Sequence, residues 1–254
     1  MEWKDKGLIL GTRKHGETSA IVEVMTENHG RHMGLVRGGR SSRLRPLLQA
    51  GNSVDLVWRA RLQEHLGTFQ IESDSLRAAH LMELPLGIHG IQTIACHLRL
   101  LPERDPHAGL YRAAQIILDN LDEPQKAARL LISFELALLD ELGFGLDLSE
   151  CAATGARDEL VWVSPKSGRA VSRSAGIPYE KQLLALPDYL VKNALVHSGA
   201  QFVKPADWHL EKGFKLSHHF LDRHCYVPRG IAPPHEREGF IRRILQALES
   251  PAIV

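Results

Sequence analysis

Short apolar runs separated by glycine and serine dominate residues 1–74 of the chain. Runs of this kind, bounded by turn-forming residues, are typical of β-strands, and the second one, AIVEVMT, alternates as a strand does. Five short strands in a segment of this size indicate a small Greek-key barrel or sandwich. They fit the oligonucleotide/oligosaccharide-binding barrel (OB-fold), although strand count alone does not select it. The predicted strands are Gly7–Leu10, Ala20–Thr26, His32–Arg37, Val54–Trp58 and Leu66–Ile71.

Beyond these strands the apolar residues recur every three or four positions, which is the spacing of an amphipathic helix. The clearest such face is apolar except at Glu135. The sequence predicts that its helix starts at Pro124 and stops at Gly143. An earlier helical stretch, residues 76–101, contains Pro85 near its middle, so we expect a kink or a break there. The pattern predicts a helical bundle in this region.

A short segment, residues 149–178, interrupts the helical spacing. Two strand-like runs, Leu160–Val163 and Arg169–Ser172, flank a Pro-Lys-Ser-Gly turn and predict a β-hairpin. Helical spacing returns after Pro178. The whole pattern predicts a multidomain α+β chain in four parts, namely a barrel at 1–74, a helical domain at 75–148, the hairpin element at 149–178, and C-terminal helices at 179–254 that pack on the helical domain.

The composition is that of an ordinary globular protein. Hydrophobic residues make up 44% of the 254 positions and charged residues 24%. No apolar stretch is long enough to span a bilayer, and the N-terminus does not resemble a signal peptide. The three cysteines, Cys96, Cys151 and Cys225, lie far apart, which favours a reducing compartment over a disulfide framework. We therefore expect a cytoplasmic protein.

Positive charge is concentrated in one stretch although the formal net charge is only +1. Residues 1–72 hold eleven basic and eight acidic side chains, a net charge of +3, so the cations must be segregated to one face to matter. Arginine binds two phosphate oxygens through its planar fork, but a solvated loop of surface arginines remains an equal alternative. Between Asn28 and Val54 there are five arginines and no acidic residue; these are Arg31, Arg37, Arg40, Arg43 and Arg45, and further cations of the same segment are Lys14, Arg59 and Arg61.

Aromatic residues that can stack on bases are few in this segment. Only Trp3, Trp58 and Phe69 are available. Trp58, beside Arg59 and Arg61, can stack on a base. The alternative that it packs in the core is the more common role of a strand tryptophan.

Metal and enzyme motifs are incomplete. The hairpin element has the outline of a zinc ribbon, but the four ligand positions hold Cys151, Thr154, Ser172 and Ala175, and one ligand of four cannot hold a structural zinc. The cluster KLSHHFLDRHCY is spaced too widely for one ion on a helix. No nucleotide loop, nucleophile elbow or metalloprotease motif is present, so we expect no metal, no cofactor and no enzymatic activity.

Two segments together resemble the RecO family of bacterial recombinational repair proteins. The first is GLILGTRKHGETSAIVEVMTENHGRHMGLVRGGRSS, which is similar to the family's opening barrel. The second is FELALLDELGFGLDLSECAATG, which is similar to the helix that leads into the family's zinc element. The resemblance covers residues 1–178 in recognisable pieces. Some members of the family keep four cysteines in that element, whereas this chain keeps one, so we expect a hairpin without metal.

The resemblance implies a non-enzymatic mediator located in the bacterial cytoplasm at the nucleoid. Members of the family bind single- and double-stranded DNA through an OB-fold and anneal complementary strands. They join RecR and the single-stranded-DNA-binding protein, and they help RecA to load onto coated strands. A protein-interaction scaffold whose barrel does not bind DNA is the alternative, and an enzyme with an unseen site is a third.

The resemblance also implies where partners bind. Arg31, Arg37, Arg40, Arg43 and Arg45 occupy the basic region of the family's barrel and are the expected DNA contacts, with Lys14, Arg59 and Arg61 behind them. The family's helical domain receives the acidic, phenylalanine-ended tail of the single-stranded-DNA-binding protein. That tail needs an apolar groove beside a cation, and the candidate residues are Arg129 and Phe134.

Overall fold

A computed structural model describes residues 1–195 and 207–249. The chain divides into two compact units. The first consists of Met1–Ala127 with Pro234–Ile244, and the second of Ala128–Pro233 with the residues from Leu245 onward. Within the described residues, no helix combines the length and the apolar character that crossing a membrane requires. The mixed α+β class predicted from the pattern is confirmed, with a five-stranded N-terminal sheet and a helical C-terminal part.

The N-terminal sheet closes into a barrel because its strands pair in the order β1-β2-β3-β5-β4. All pairings are antiparallel except that of β3 with β5, which run parallel. Strand β1 serves both halves, since its first part pairs with β4 and its second part with β2. The strands are β1 (Glu2–His15), β2 (Ser19–Thr26), β3 (Arg31–Val36), β4 (Ser53–Arg59) and β5 (Thr68–Ser75).

Strand β1 is much longer than the apolar pattern predicts. The expected strand covered only Gly7–Leu10, but the structure extends it in both directions. The predicted centre, Gly7–Leu10, is buried, and the residues added at both ends are mostly exposed. Backbone pairing with β4 and β2 holds these polar ends, so no apolar periodicity marks them in the sequence.

The barrel is buried on more than its inner face. Its interior is filled by apolar side chains that include Val22, Val24, Leu56 and Trp58. The alternation expected for β2 is wrong, because the apolar residues of its outer side, Ile21 and Met25, are buried as well as those that face the barrel interior. Two helices cover that side: α2 (Gly87–Leu98) packs against β1, and α3 (Ala108–Leu118) packs against β2.

The helical boundaries follow the sequence signals closely. Helix α1 (Ala78–Glu83) and α2 are separate, and the break falls at Pro85 as predicted. Helix α4 (Pro124–Glu141) begins at Pro124, and Gly143 follows its end with a φ of +83°, a conformation that favours glycine. Glu135 is fully buried, and its carboxylate accepts a 2.5 Å hydrogen bond from Ser217 Oγ.

The hairpin element forms as expected and gains a third strand. Strands β6 (Leu160–Val163) and β7 (Ala170–Ser172) form the hairpin, and β8 (Leu184–Ala185) pairs with the other edge of β6. The remaining α-helices are α5 (Arg173–Gly176), α6 (Asp188–Leu195), α7 (Asp207–Leu221) and α8 (His235–Glu249). Phe240 of α8 is buried and lies close to Gly90 of α2.

Hydrogen bonds surround Cys151 at the base of the hairpin. Its sulfur is buried and accepts a 3.3 Å hydrogen bond from the backbone N–H of Ser172. Burial raises the pKa of the Cys151 thiol, but hydrogen bonds from Ser172 and Thr154 outweigh that effect and lower the pKa from its usual 9.0 to about 6. Two of the positions where a zinc ribbon would carry further ligands thus donate hydrogen bonds to the one remaining sulfur.

This arrangement predicts a pH-dependent contribution to stability. A thiol whose pKa is lower in the folded than in the unfolded chain stabilises the fold fully above the unfolded pKa of 9.0, and this contribution is lost as the pH falls towards 6. Urea unfolding of the wild type should therefore show a stability increase between these pH values that Cys151→Ser lacks. Equal pH dependence in both proteins would contradict the lowered pKa of Cys151.

Elemental analysis of the purified protein should find no stoichiometric zinc.

Candidate nucleic-acid interface

Residues 37–50, in the segment between β3 and β4, form an amphipathic loop that we call the basic loop. Leu48 is buried, and Leu44 and Leu47 pack partly buried against the barrel core. Two helical-turn hydrogen bonds stiffen it, from Arg45 N to Ser41 O and from Leu48 N to Leu44 O. Because the leucines anchor one side, the arginines at 37, 40, 43 and 45 are exposed on the other.

A groove of ≈ 420 Å³ runs between the basic loop and the surface of β3, β4 and β5; we call it the barrel groove. Arg37, Arg43 and Arg59 line it together with Thr68 and Gln70. Its floor is apolar and includes Val57 and Phe69. Three cations along one groove are an arrangement that suits a phosphodiester backbone.

The cations of the barrel groove differ in their availability. Arg59 is held by Glu2, with Nε–Oε2 and Nη2–Oε1 distances of 2.8 and 3.1 Å. Arg37 and Arg43 are exposed, and neither side chain has an ion-pair or hydrogen-bond partner in the part of the chain that the structure describes. These two guanidinium groups can therefore bind phosphate without breaking an existing contact.

A second groove, of ≈ 520 Å³, lies on the other side of the basic loop, where Lys14, Arg40 and Arg45 meet. Lys14 and Arg45 are exposed and without side-chain partners among residues 1–195 and 207–249. Arg40 is already engaged, since its Nη1 donates to the carbonyl oxygens of Gly16 and Glu17 at 2.9 and 2.6 Å. It ties the β1–β2 turn to the basic loop.

Arg31 belongs to a different environment from the other arginines of its stretch. Its guanidinium is largely buried and donates to Glu23 at 3.0 Å, to Glu103 at 3.4 Å and to the carbonyl of Leu101. The expectation that it contacts DNA does not agree with these contacts, because they occupy its donors inside the protein. We remove Arg31 from the interface and treat it as a structural residue.

Arg61 lies in the loop between β4 and β5, residues 60–67, which we call the β4–β5 loop. Its side chain is exposed, with no partner in the described ranges. The strand residues that flank this loop, Arg59 and Thr68, both line the barrel groove. The β4–β5 loop therefore begins and ends at that groove.

The aromatic residues of the barrel do not offer a stacking surface. Trp58 is 1% exposed and donates from Nε1 to the carbonyl of Leu66 at 3.0 Å. Phe69 is buried, and Trp3 is stacked between Trp58 and His29. The alternative that Trp58 packs in the core is confirmed.

The residues considered for a partner tail occupy different environments. Phe134 is 2% exposed and belongs to the core, so its side chain does not line an open groove. Arg129 is partly buried. Of the histidine cluster, His224 stacks on Phe144 with ring centroids 4.6 Å apart, and among the described residues no group of three histidine, cysteine or carboxylate side chains could hold a metal.

Sequence reasoning missed Arg104, which contacts the barrel from the segment between α2 and α3. Its guanidinium donates hydrogen bonds to carbonyl groups of the β4–β5 loop. No local sequence pattern predicted this contact. Pro106 ahead of α3 marks a loop at this point in the sequence. Only the tertiary structure shows where that loop lies.

Comparisons with known proteins agree with this architecture. The family model for the recombination protein O N-terminal domain matches residues 1–73, and the model for its C-terminal domain matches residues 96–230. The DNA repair protein RecO of Brucella abortus is 55% identical over 248 residues, which is 98% of each chain.

Two further relatives bear the same name. The protein of Mesorhizobium japonicum is 56% identical over 95% of this chain and 92% of its own length. That of Agrobacterium fabrum is 54% identical over 99% of this chain and 96% of its own. Since both domains match in order and the identity extends over almost the whole length, the chain belongs to the RecO family of DNA repair proteins.

Proposed function

We propose that this protein is a recombination mediator that binds single- and double-stranded DNA through its barrel and anneals complementary strands. The observation that carries the proposal is the basic loop, which presents Arg37, Arg43 and Arg45 to solvent with no partner in the described residues. Lys14 and Arg61 extend this surface. Phosphate contacts of this kind do not depend on base sequence, as annealing of arbitrary strands requires.

The barrel supports this proposal through its topology. Five strands in the order β1-β2-β3-β5-β4, with β1 shared between the two halves, fit an OB-fold. In OB-folds the loops that follow strands 1 and 4 contribute to oligonucleotide binding. Here the β4–β5 loop carries Arg61, and the strand before the β1–β2 turn carries Lys14.

Charge outweighs stacking in the proposed mode of binding. Single-strand binding proteins usually add aromatic platforms to a basic groove. Trp58 and Phe69 are buried in the barrel and cannot serve in that way. The bases of a bound strand would then stay exposed for pairing with a second strand, which suits an annealing protein.

We also propose the partners that the family implies. These are RecR, the C-terminal tail of the single-stranded-DNA-binding protein and, indirectly, RecA, acting at the nucleoid in a bacterial cytoplasm. Arg129 stays a candidate cation for the acidic tail. Because Phe134 is buried, the apolar part of that site must come from other residues. None of these steps needs nucleotide hydrolysis.

A strand-annealing assay tests the proposed function directly. The wild-type protein should bind a fluorescein-labelled thymidine oligonucleotide with an affinity that falls steeply with salt. It should also accelerate pairing of complementary strands, both bare and coated with single-stranded-DNA-binding protein. A protein that neither binds DNA at low salt nor anneals strands would instead fit the alternative, a protein-interaction scaffold.

A further inference from the structure

Five consecutive carbonyl groups of the β4–β5 loop accept hydrogen bonds from other parts of the first compact unit. The guanidinium of Arg104 donates to three of them, with N–O distances of 2.6 Å to Gln63 and 3.2 Å to both Glu64 and His65. Trp58 Nε1 donates to Leu66 at 3.0 Å, and the backbone N–H of Leu35 donates to Gly67 at 3.0 Å. A loop with its carbonyls bonded in this way has little freedom to change conformation.

The backbone that presents Arg104 is in an uncommon conformation. Its φ is +65°, and only Glu159 shares a positive φ among the non-glycine residues that the structure describes. Such a conformation carries a cost and persists where its surroundings fix it. Here the N–H of Arg104 donates to the carbonyl of Arg31 at 2.9 Å, and Gly30 lies so close to Asp105 that a Cβ on Gly30 would overlap the Asp105 carbonyl.

Arg31 completes the support of this turn. Its side chain donates to Glu103 and to the carbonyl of Leu101, so it holds the residues just before Arg104 against β3. The turn at residues 101–105 is thus fixed by the side chain and backbone of Arg31 and by the close approach of Gly30. Its position determines where the Arg104 guanidinium lies.

The β4–β5 loop turns its side chains away from these contacts. Residues 61–66 are all exposed, and they include Arg61 and His65. Because the loop begins and ends at the barrel groove, a strand leaving the groove beside Arg59 would meet these side chains next. A fixed backbone keeps Arg61 in one place relative to Arg37 and Arg43 and lowers the entropy lost on binding.

We propose that Arg104 is a positioning residue for DNA binding: it fixes the β4–β5 loop so that Arg61 contacts the phosphate next to those held in the barrel groove. The inference rests on the proposed function, and it assigns Arg104 no contact with DNA. The three carbonyl groups accept from two different nitrogens of the guanidinium, Nη1 and Nη2, and this contact requires a planar group with several donors. Lysine at this position would keep the charge but lose the fork.

A double-mutant cycle between Arg104 and Arg61 tests the proposal. Arg104→Gly removes the guanidinium and suits the positive φ, so the fold should tolerate it, and Arg104→Lys is the second variant. In the wild-type background, Arg61→Ala should weaken oligonucleotide binding about fivefold, the size of one exposed charge contact. It should lower the salt slope by about 0.7, the value for one phosphate on a single strand.

In the Arg104→Gly and Arg104→Lys backgrounds, Arg61→Ala should have no further effect on affinity or on the salt slope, because Arg61 no longer has a fixed position. Amide exchange at residues 62–67 should rise in both backgrounds. The matched control is Glu159→Gly, which relaxes the other positive-φ residue. It should change neither the effect of Arg61→Ala on DNA binding nor the amide exchange of residues 62–67.

The outcomes separate this inference from the proposed function. Equal effects of Arg61→Ala in all backgrounds, or unchanged amide exchange in Arg104→Gly, would overturn the role of Arg104 while DNA binding by the basic loop stands. If the wild type itself shows no salt-dependent DNA binding, the proposed function fails and the inference fails with it.

Discussion

Replacing Arg37 and Arg43 together by glutamate should weaken single-stranded DNA binding by roughly two orders of magnitude at low salt, because two phosphate contacts become two repulsions. The slope of log affinity against log salt should fall by about 1.4, the value for two phosphates on a single strand. Fluorescence anisotropy with a labelled thymidine oligonucleotide over a salt series measures both quantities. Strand annealing should fall in parallel.

The design depends on the surroundings of these two residues. Both are exposed and have no side-chain partner in the described ranges, so their replacement should leave the barrel folded. The matched control is Arg157→Glu with Arg173→Glu, which makes the same change in net charge on the hairpin element. These arginines are exposed, and their nearest carboxylates lie as far as 3.8 Å away, so their ion pairs are weak.

Two results would count against the basic loop. If the control double variant weakens binding as much as Arg37→Glu with Arg43→Glu, the effect comes from net charge alone. If neither pair of substitutions changes binding, these arginines are not in the interface. Reduced binding by the first pair alone, with normal thermal stability, supports the proposed contacts.

The arginine stretch shows how far sequence reasoning reaches. Its composition identified the basic loop correctly as a cationic surface next to β3. The sequence did not show which arginines are exposed, because Arg31 and Arg37 have similar neighbours along the chain. What separates them is tertiary contact, since Arg31 meets Glu23 on β2 and Glu103, 72 residues away, whereas Arg37 meets no such partner in the described residues.

Element types were easier to predict than their limits. Pro85 and Gly143 act locally through backbone geometry, so the helix break and the helix end follow from single residues. Strand β1 and the outer face of β2 depend on what packs or pairs against them. The polar ends of β1 are held by backbone pairing, which leaves no local apolar signal. The outer face of β2 does carry apolar residues, Ile21 and Met25, but the local sequence does not show that α3 packs against them.

The second large effect that we expect is on stability, from Trp58. This side chain is 1% exposed in the barrel core, and Trp3 stacks on it with ring centroids 5.5 Å apart. Trp58→Ala should lower the free energy of unfolding by about 3–5 kcal/mol, the usual cost of truncating a buried aromatic residue to alanine. Urea unfolding monitored by the amide exchange of β2 residues reports specifically on the compact unit that contains the barrel.

A phenylalanine variant separates packing from hydrogen bonding. Trp58→Phe keeps an aromatic ring in the core but leaves the Leu66 carbonyl without its donor, so it should cost about 1–3 kcal/mol. Leu62→Ala, in the exposed part of the same loop, is the control and should change stability by less than about 0.5 kcal/mol. The order of the three variants tests the core assignment without reference to DNA.

DNA binding by Trp58→Phe then distinguishes the two roles considered for this residue. As a core residue, Trp58 contributes to affinity only by holding the barrel and the β4–β5 loop, so the folded Phe variant should bind within about threefold of wild type. A stacking platform would behave in the opposite way. Truncation to alanine would then leave stability nearly unchanged while reducing affinity, since base–aromatic stacking contributes about 1–3 kcal/mol per base.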